Sequence, residues 1–179
     1  MKRDDVRDFV VLNWIYCDFW DVHVFSTWQE NDAYFSLPPS AAANGASLLA
    51  EIYKSSSPIN VVLDSGAWAT DMTNEELAQK WLGSRNDMEA VVYFGAGNRM
   101  LVVNKAGLVT PLALSPYETN LQKCLIYLDD IHTRGSDFRL SAGTRAAVTL
   151  GRGMQKDKLV QTCMRMRLLG NGHSVPLHG

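Results

Sequence analysis

Four short, mostly apolar runs decide what this chain can fold into: Ile59 to Leu63, Ala90 to Phe94, Cys124 to Leu128 and Ala146 to Leu150. Runs so continuous in Val, Ile and Leu suit strands that are covered on both faces, which is the condition of a parallel sheet. Helical spacing fills the gaps between them. Ala, Leu and Ile recur at helical intervals from Ser40 to Lys54, where Ser55-Ser56-Ser57-Pro58 stops the pattern. Thr73-Asn74-Glu75-Glu76 reads as the start of a second helix, with Thr73 as cap, Glu76 as its reciprocal partner, and Leu77, Trp81 and Leu82 as the apolar face. A third helical stretch carries Gln161, Arg165 and Arg167. Met100 to Val103 returns from Ala90 to Phe94 across the turn Gly95-Ala96-Gly97-Asn98, as a hairpin partner would. The pattern predicts an α/β fold, a mainly parallel sheet flanked by helices, with one β-hairpin.

The Pro-Pro pair in Leu37-Pro38-Pro39-Ser40 divides the chain. Residues 1–39 are rich in aromatics, among them Trp14, Trp20 and Trp28, and are expected to pack on the domain or on a missing neighbour. Residues 40–170 form the α/β domain, and residues 171–179 a flexible tail in which His173 and His178 have no evident partner. With 46% hydrophobic residues in 179, the chain has enough apolar surface for one core, which excludes a disordered polypeptide. No stretch reaches the length of a membrane span, and the start MKRDDVRD lacks the apolar core of a signal peptide, so the expectation is an intracellular protein, cytoplasmic or nuclear, without a membrane partner. Cys17, Cys124 and Cys163 are odd in number and form no CxxC pair, which argues against a disulfide framework or a structural zinc site. Cys17 and Cys124 read as packing residues.

Charge is unevenly placed. Eight Lys or Arg and two acids lie between Arg134 and Arg167, against nine basic and seventeen acidic residues elsewhere. A basic segment in an acidic chain suits phosphate, nucleic acid or an acidic protein face, and suits a solvated surface equally well.

The polar residues that follow the third apolar run are the most specific signal. Leu128-Asp129-Asp130-Ile131-His132 resembles the strand-end acid motif of helicase-like ATPases, where one acid holds magnesium and the next positions water. Asp130 stands where those enzymes carry glutamate. Thr133-Arg134-Gly135-Ser136-Asp137 resembles the RGxD turn of the second helicase lobe, and Gln161-x-x-x-Arg165-x-Arg167 resembles its arginine-finger motif. The resemblance implies a RecA-like lobe in which Asp129, Arg134, Gly135, Gln161, Arg165 and Arg167 face a nucleotide. The sequence contains no GxxxxGK[ST] loop, so ATP and magnesium are implied only if a partner lobe supplies one. Arg165 and Arg167, two apart, can share a ligand only if the helix ends early or lies in a cleft.

A broader likeness covers the chain from about Leu48 onward. VVLDSGA, MTNEELAQKWL, SPYETNLQKCLIYLDDIHTRGSDFRL, TRAAVTLG and KDKLVQTCMRMRLLGNGHSV resemble a conserved region of very large fungal proteins classed as ubiquitinyl hydrolases, or ubiquitin thioesterases. The usual strand-end form there is Asp-Glu-Ala-His, from which Asp130-Ile131 departs. The resemblance implies a cysteine-type deubiquitinase class, ubiquitin or a ubiquitinated protein as partner, and neighbouring domains of a larger chain.

Thiol chemistry needs a thiolate, an imidazole that takes its proton and an acid that orients the imidazole. Cys163, His132 and either Asp130 or Asp137 could fill those roles, with Arg165 and Arg167 favouring the thiolate. Helical spacing from Leu159 and Val160 instead places Cys163 on an apolar face, which favours a core cysteine. His132 could couple to substrate or simply cap the strand end. Arg134 and Asp137 could meet a ligand or pair locally, and Gly135 suits a positive φ. Asp64 and Gly66 read as a turn. Three functions remain open: a ubiquitinyl hydrolase segment, a helicase-like ATPase lobe, and a non-catalytic lobe that binds protein or nucleic acid.

Overall fold

The computed structural model describes residues 34–35, 43–134, 137–151, 154–168, 172–175 and 177–178. In chain order they form β1 (Tyr34–Phe35), α1 (Gly45–Lys54), β2 (Val61–Leu63), α2 (Asn74–Gly83), β3 (Ala90–Gly95), β4 (Arg99–Asn104), β5 (Val109–Pro111), β6 (Cys124–Leu128), β7 (Ala146–Thr149), α3 (Lys156–Cys163) and β8 (Leu177–His178). One sheet holds all the strands, in the order β1-β8-β7-β2-β6-β3-β4-β5. Only β4 runs against the rest, antiparallel to β3 and to β5. The fold is α/β, with a mainly parallel sheet and helices on both faces. The expected hairpin of β3 and β4 is extended by β5 into a meander.

Alternation along the central strands separates two cores. Val61, Leu63, Ala90, Val92, Ile126, Leu128, Ala146 and Val148 point to one face, where they meet Leu159 and Cys163 of α3 and then Met166. Val62, Val91, Tyr93, Leu125, Tyr127 and Ala147 point to the other, under Leu48, Leu49 and Ile52 of α1 and Leu77, Ala78, Trp81 and Leu82 of α2. β2, β6 and β7 are buried along their whole length, which is why their sequences are apolar up to Thr149, the last residue of β7. Burying a side chain such as Leu77 or Ile126 contributes about 1.5–3 kcal/mol.

Both helices of the second face begin on a capping box. Asn44 Oδ1 accepts from Ser47 N at 2.8 Å ahead of α1, and Glu76 Oε2 accepts from Thr73 N at 2.8 Å ahead of α2. The helix expected from Ser40 begins at Gly45, because Asn44 is extended (φ −153, ψ 172) and caps it; residues 40–42 lie outside the described residues.

The expectation of a flexible tail over 171–179 is corrected. Arg145 bridges Ser174, and Val148 and Thr149 pair with Leu177 and His178, so β8 is a strand of the sheet between β7 and β1. His173 is buried, accepting from Leu168 N at Nδ1 (3.2 Å) and meeting Ser141 O at Nε2 (3.0 Å). Of the aromatic segment 1–39, only Tyr34–Phe35 is among the described residues, paired with β8.

Sheet order places the site. From β2 the chain crosses by α2 to β3, leaving a vacant place that β6 later fills. After β6 it moves to the other side of β2, to β7 and then β8. A cleft opens beyond the carboxyl ends of β3 and β6, at the edge of the sheet where open α/β folds hold ligands.

Candidate active site at the carboxyl ends of the strands

At the end of β6 the strand period decides which acid does what. Leu128 points to the α3 face, so the next residue, Asp129, falls toward α2 and Asp130 toward α3. Each finds a partner on its own side. Asn74, the first residue of α2, donates from Nδ2 to Asp129 Oδ2 at 2.5 Å and to the Phe94 carbonyl at the end of β3 at 2.8 Å. Lys158 Nζ of α3 lies 2.5 Å from Asp130 Oδ1, a contact of charge rather than an aligned hydrogen bond.

The turn after Asp129 folds back on it. His132 N and Thr133 N both donate to Asp129 O at 3.0 Å, and the Thr133 hydroxyl donates to Asp130 O at 2.9 Å. This winding carries His132 over the carboxylate, where Asp129 Oδ1 accepts from His132 N at 3.0 Å and meets Nδ1 at 2.6 Å. The imidazole stacks flat on Phe94, with ring centroids 3.8 Å apart and planes 4° from parallel. Nε2 lies 3.2 Å from Asn98 Oδ1 at the tip of the β3–β4 hairpin. A carboxylate accepts only, so Nδ1 carries a proton and the neutral ring keeps its lone pair on Nε2. His132, 13% exposed at its side chain, and Asp129 form one wall of a cleft of about 650 Å³ that Thr73, Glu75, Phe94 and Arg99 also line. Tyr93 donates to Glu75 at 3.1 Å; burial, and then that carboxylate, push its phenol well above the ordinary range and keep it a donor.

The turn after β2 is closed on itself. Asp64, 2% exposed, accepts from Trp68 N (2.9 Å), Ala69 N (3.0 Å), the Thr149 hydroxyl (2.6 Å) and the Tyr127 hydroxyl (3.2 Å). Gly66 N donates to Thr149 Oγ1 at 2.8 Å, Ser65 Oγ to Thr149 O at 2.8 Å, and Ala67 N to Asp64 O at 3.1 Å. Burial, then Asp64, push the Tyr127 phenol far up. Magnesium and nucleotide therefore do not fit here: the amides that would cradle phosphate are bonded internally, and both strand-end acids are engaged. Among the described residues no group of three or more His, Cys, Asp or Glu is arranged to hold a metal ion.

No family model, no curated protein and no solved structure matches this chain.

The residues singled out in the sequence are only partly brought together. Asp129 and His132 meet; Asp130 is drawn to Lys158, and Asp137 pairs with Arg167 Nε at 3.1 Å, so neither of the two acids named for orienting His132 touches its Nδ1. Cys163 is 0% exposed within the core under α3, and burial pushes its thiol far above the ordinary range. Its expected role as nucleophile is corrected to packing, in line with its helical spacing. Cys124 is also buried, its thiol pushed up to about 12, mainly by burial and further by Glu89. Cys17, Gly135 and Ser136 lie outside the described residues.

Arg134 and Gln161 are exposed. α3 stops at Cys163, so Arg165 and Arg167 fall in the turns beyond it. The chain after them is stitched to the amino end of β7 through His173 and the Gly143 N to Gly172 O bond of 2.8 Å. Asn74, Phe94 and Asn98 belong to the site and went unread in the sequence, because a helix start, a strand end and a turn each account for them locally.

Proposed function

We propose that this chain supplies the base of a thiol-dependent hydrolase of the ubiquitinyl hydrolase class, as a RecA-like lobe of a larger protein. The observation that carries it is the 2.6 Å contact of Asp129 Oδ1 with His132 Nδ1, made by a ring stacked on Phe94 and opening on a cleft. A carboxylate in that position holds the imidazole in one tautomer and stabilises the imidazolium that forms when Nε2 takes a proton. His132 takes the proton of a thiol, the thiolate adds to the carbonyl carbon of the scissile amide, and the imidazolium returns the proton to the leaving amine. Water then attacks the thioester with His132 again as base. Cys163 and Cys124 belong to the core, so the thiol is that of Cys17 or of a neighbouring domain. The partner is ubiquitin or a ubiquitinated protein.

The test is turnover of a ubiquitin C-terminal fluorogenic amide, by the chain alone and with its neighbouring domains. His132→Ala and Asp129→Asn are expected to lower kcat/KM by about a hundredfold or more, and Cys163→Ala to leave it unchanged. Turnover indifferent to His132, or lost in a folded Cys163→Ala variant, would refute the assignment.

A second reading, a helicase-like lobe acting on a nucleotide held elsewhere, is favoured by the early end of α3 and by the Arg167–Asp137 pair, which joins the two arginine-bearing motifs. It requires ATP hydrolysis by the larger protein that falls when Arg165 or Arg167 is replaced by Ala.

A further inference from the structure

We infer that Asn98 is a gating residue for the base: its side-chain amide holds the hydrogen-bonding position at His132 Nε2 that the proton of an incoming nucleophile must take. The inference rests on the reading of His132 as the base. Asp129 accepts from Nδ1, so the neutral ring offers Nε2 as an acceptor. The atom placed 3.2 Å from it is Asn98 Oδ1, a second acceptor. Oδ1 and Nδ2 of an amide exchange places on a half-turn of its terminal bond, and with Nδ2 in that place its N–H donates to the neutral Nε2. If instead the ring is doubly protonated, Nε2–H donates to Oδ1. In both protonation states Asn98 engages the nitrogen that has to accept the proton.

The hairpin tip is built to release that contact. Ala96–Asn98 form a single tight turn between β3 and β4, exposed along its length, with Gly97 at φ 72 and Asn98 at φ 56. Asn is one of the few residues besides Gly that enters the left-handed region readily, so the turn accounts for the residue type. It does not account for the side chain lying across an imidazole that is itself fixed by Asp129 and Phe94. Rotation of one exposed side chain withdraws the Asn98 amide from Nε2 and leaves the dyad in place.

Diethyl pyrocarbonate, which acylates an available neutral imidazole nitrogen, reads the gate without any substrate. Asn98→Gly keeps the left-handed turn unstrained and removes the amide. Its His132 is expected to be carbethoxylated roughly fivefold faster than in the wild type, as measured by mass spectrometry, the worth of one ordinary hydrogen bond. Asn98→Asp places a carboxylate on each side of the ring, favours the imidazolium and is expected to slow the reaction. Buried His173 serves as the control for folding and should react slowly in every variant. An unchanged His132 rate in Asn98→Gly, or a faster one in Asn98→Asp, overturns the gate. So does an Asn98→Gly variant whose His132 reacts faster but whose ubiquitin-amide turnover falls, since Asn98 would then serve the reaction directly. Failure of the base reading has a different signature: turnover that ignores His132→Ala while the reagent still reports the Asn98 contact.

Discussion

Gly66→Ala tests how tightly the turn after β2 is locked to the end of β7. A Cβ at Gly66 would lie 2.7 Å from Leu150 C, 2.8 Å from Leu150 O and 2.9 Å from Gly151 N. All three are backbone atoms, so no side chain can swing away, and the two strand ends must part by roughly half an ångström or more to reach ordinary contact. That movement acts directly on Ser65 Oγ to Thr149 O (2.8 Å), Gly66 N to Thr149 Oγ1 (2.8 Å) and Trp68 Nε1 to Leu150 O (3.0 Å). Overpacking of this kind costs about 1–3 kcal/mol, and weakening one or two of the bonds adds about 1 kcal/mol each. We expect a loss of about 3 kcal/mol, which for a chain of this size lowers Tm by roughly 6–12 °C. Urea titration followed by tryptophan fluorescence measures it. Gly83→Ala is the matched control: it ends α2, has nothing within 4 Å of its would-be Cβ, and should be neutral or gain up to about 1 kcal/mol. A Gly66→Ala loss below about 1 kcal/mol would refute the backbone-on-backbone argument.

Three further outcomes are expected. Asp64→Ala strips the partner from two backbone N–H groups and two hydroxyls, and should cost roughly 3–5 kcal/mol in urea unfolding; a cost under 1 kcal/mol would mean that water replaces the carboxylate. Asp87 is held at about 2, below the ordinary 3.8, first by its hydrogen bonds from Arg85, so its contribution to stability is present above about pH 4 and lost as pH falls through 2. Acid unfolding of Asp87→Asn should be correspondingly flatter across that window, and an unaltered profile would remove the ion pair from the account. In the folded chain at pH 8, Cys124 and Cys163 should resist iodoacetamide and react only in urea, since both thiols are buried and pushed up; native labelling of either would contradict the packing described.

Much of the fold could be read from the chain because its signals are local. Apolar runs covered on both sides, the capping box at Thr73 and Glu76, and the turn between β3 and β4 each follow from a few neighbouring residues. The site was legible to a lesser degree. Two adjacent acids before a histidine announced a polar strand end, but the choice between Asp129 and Asp130 depends on which helix lies on which face of the sheet. Alternation then sends one acid to Asn74 and the other to Lys158, and neither helix position is written near residue 129. That Arg165 and Arg167 fall in turns rather than on a helix depends on where α3 stops, at Cys163. His173 looked unpartnered because Ser141, which it meets, lies thirty-two residues earlier in the chain. β8 was missed for a related reason: a two-residue strand carries too little pattern to register and is defined by its pairing with β7 and β1.

The place of β6 between β2 and β3 also bears on how the molecule is made. Both flanking strands leave the ribosome before it, so a growing chain that has reached residue 110 holds two apolar strands with a gap between them and nothing to pair across it. Closing that gap joins Val61 to Ile126 and Ala90 to Cys124, contacts between residues far apart in sequence, and such contacts form late. The strand that fills this gap is the one that leads into Asp129. Assembly of the His132 pair thus marks the closing of the gap between β2 and β3, and chains that stop short of it would expose open strand edges prone to aggregation.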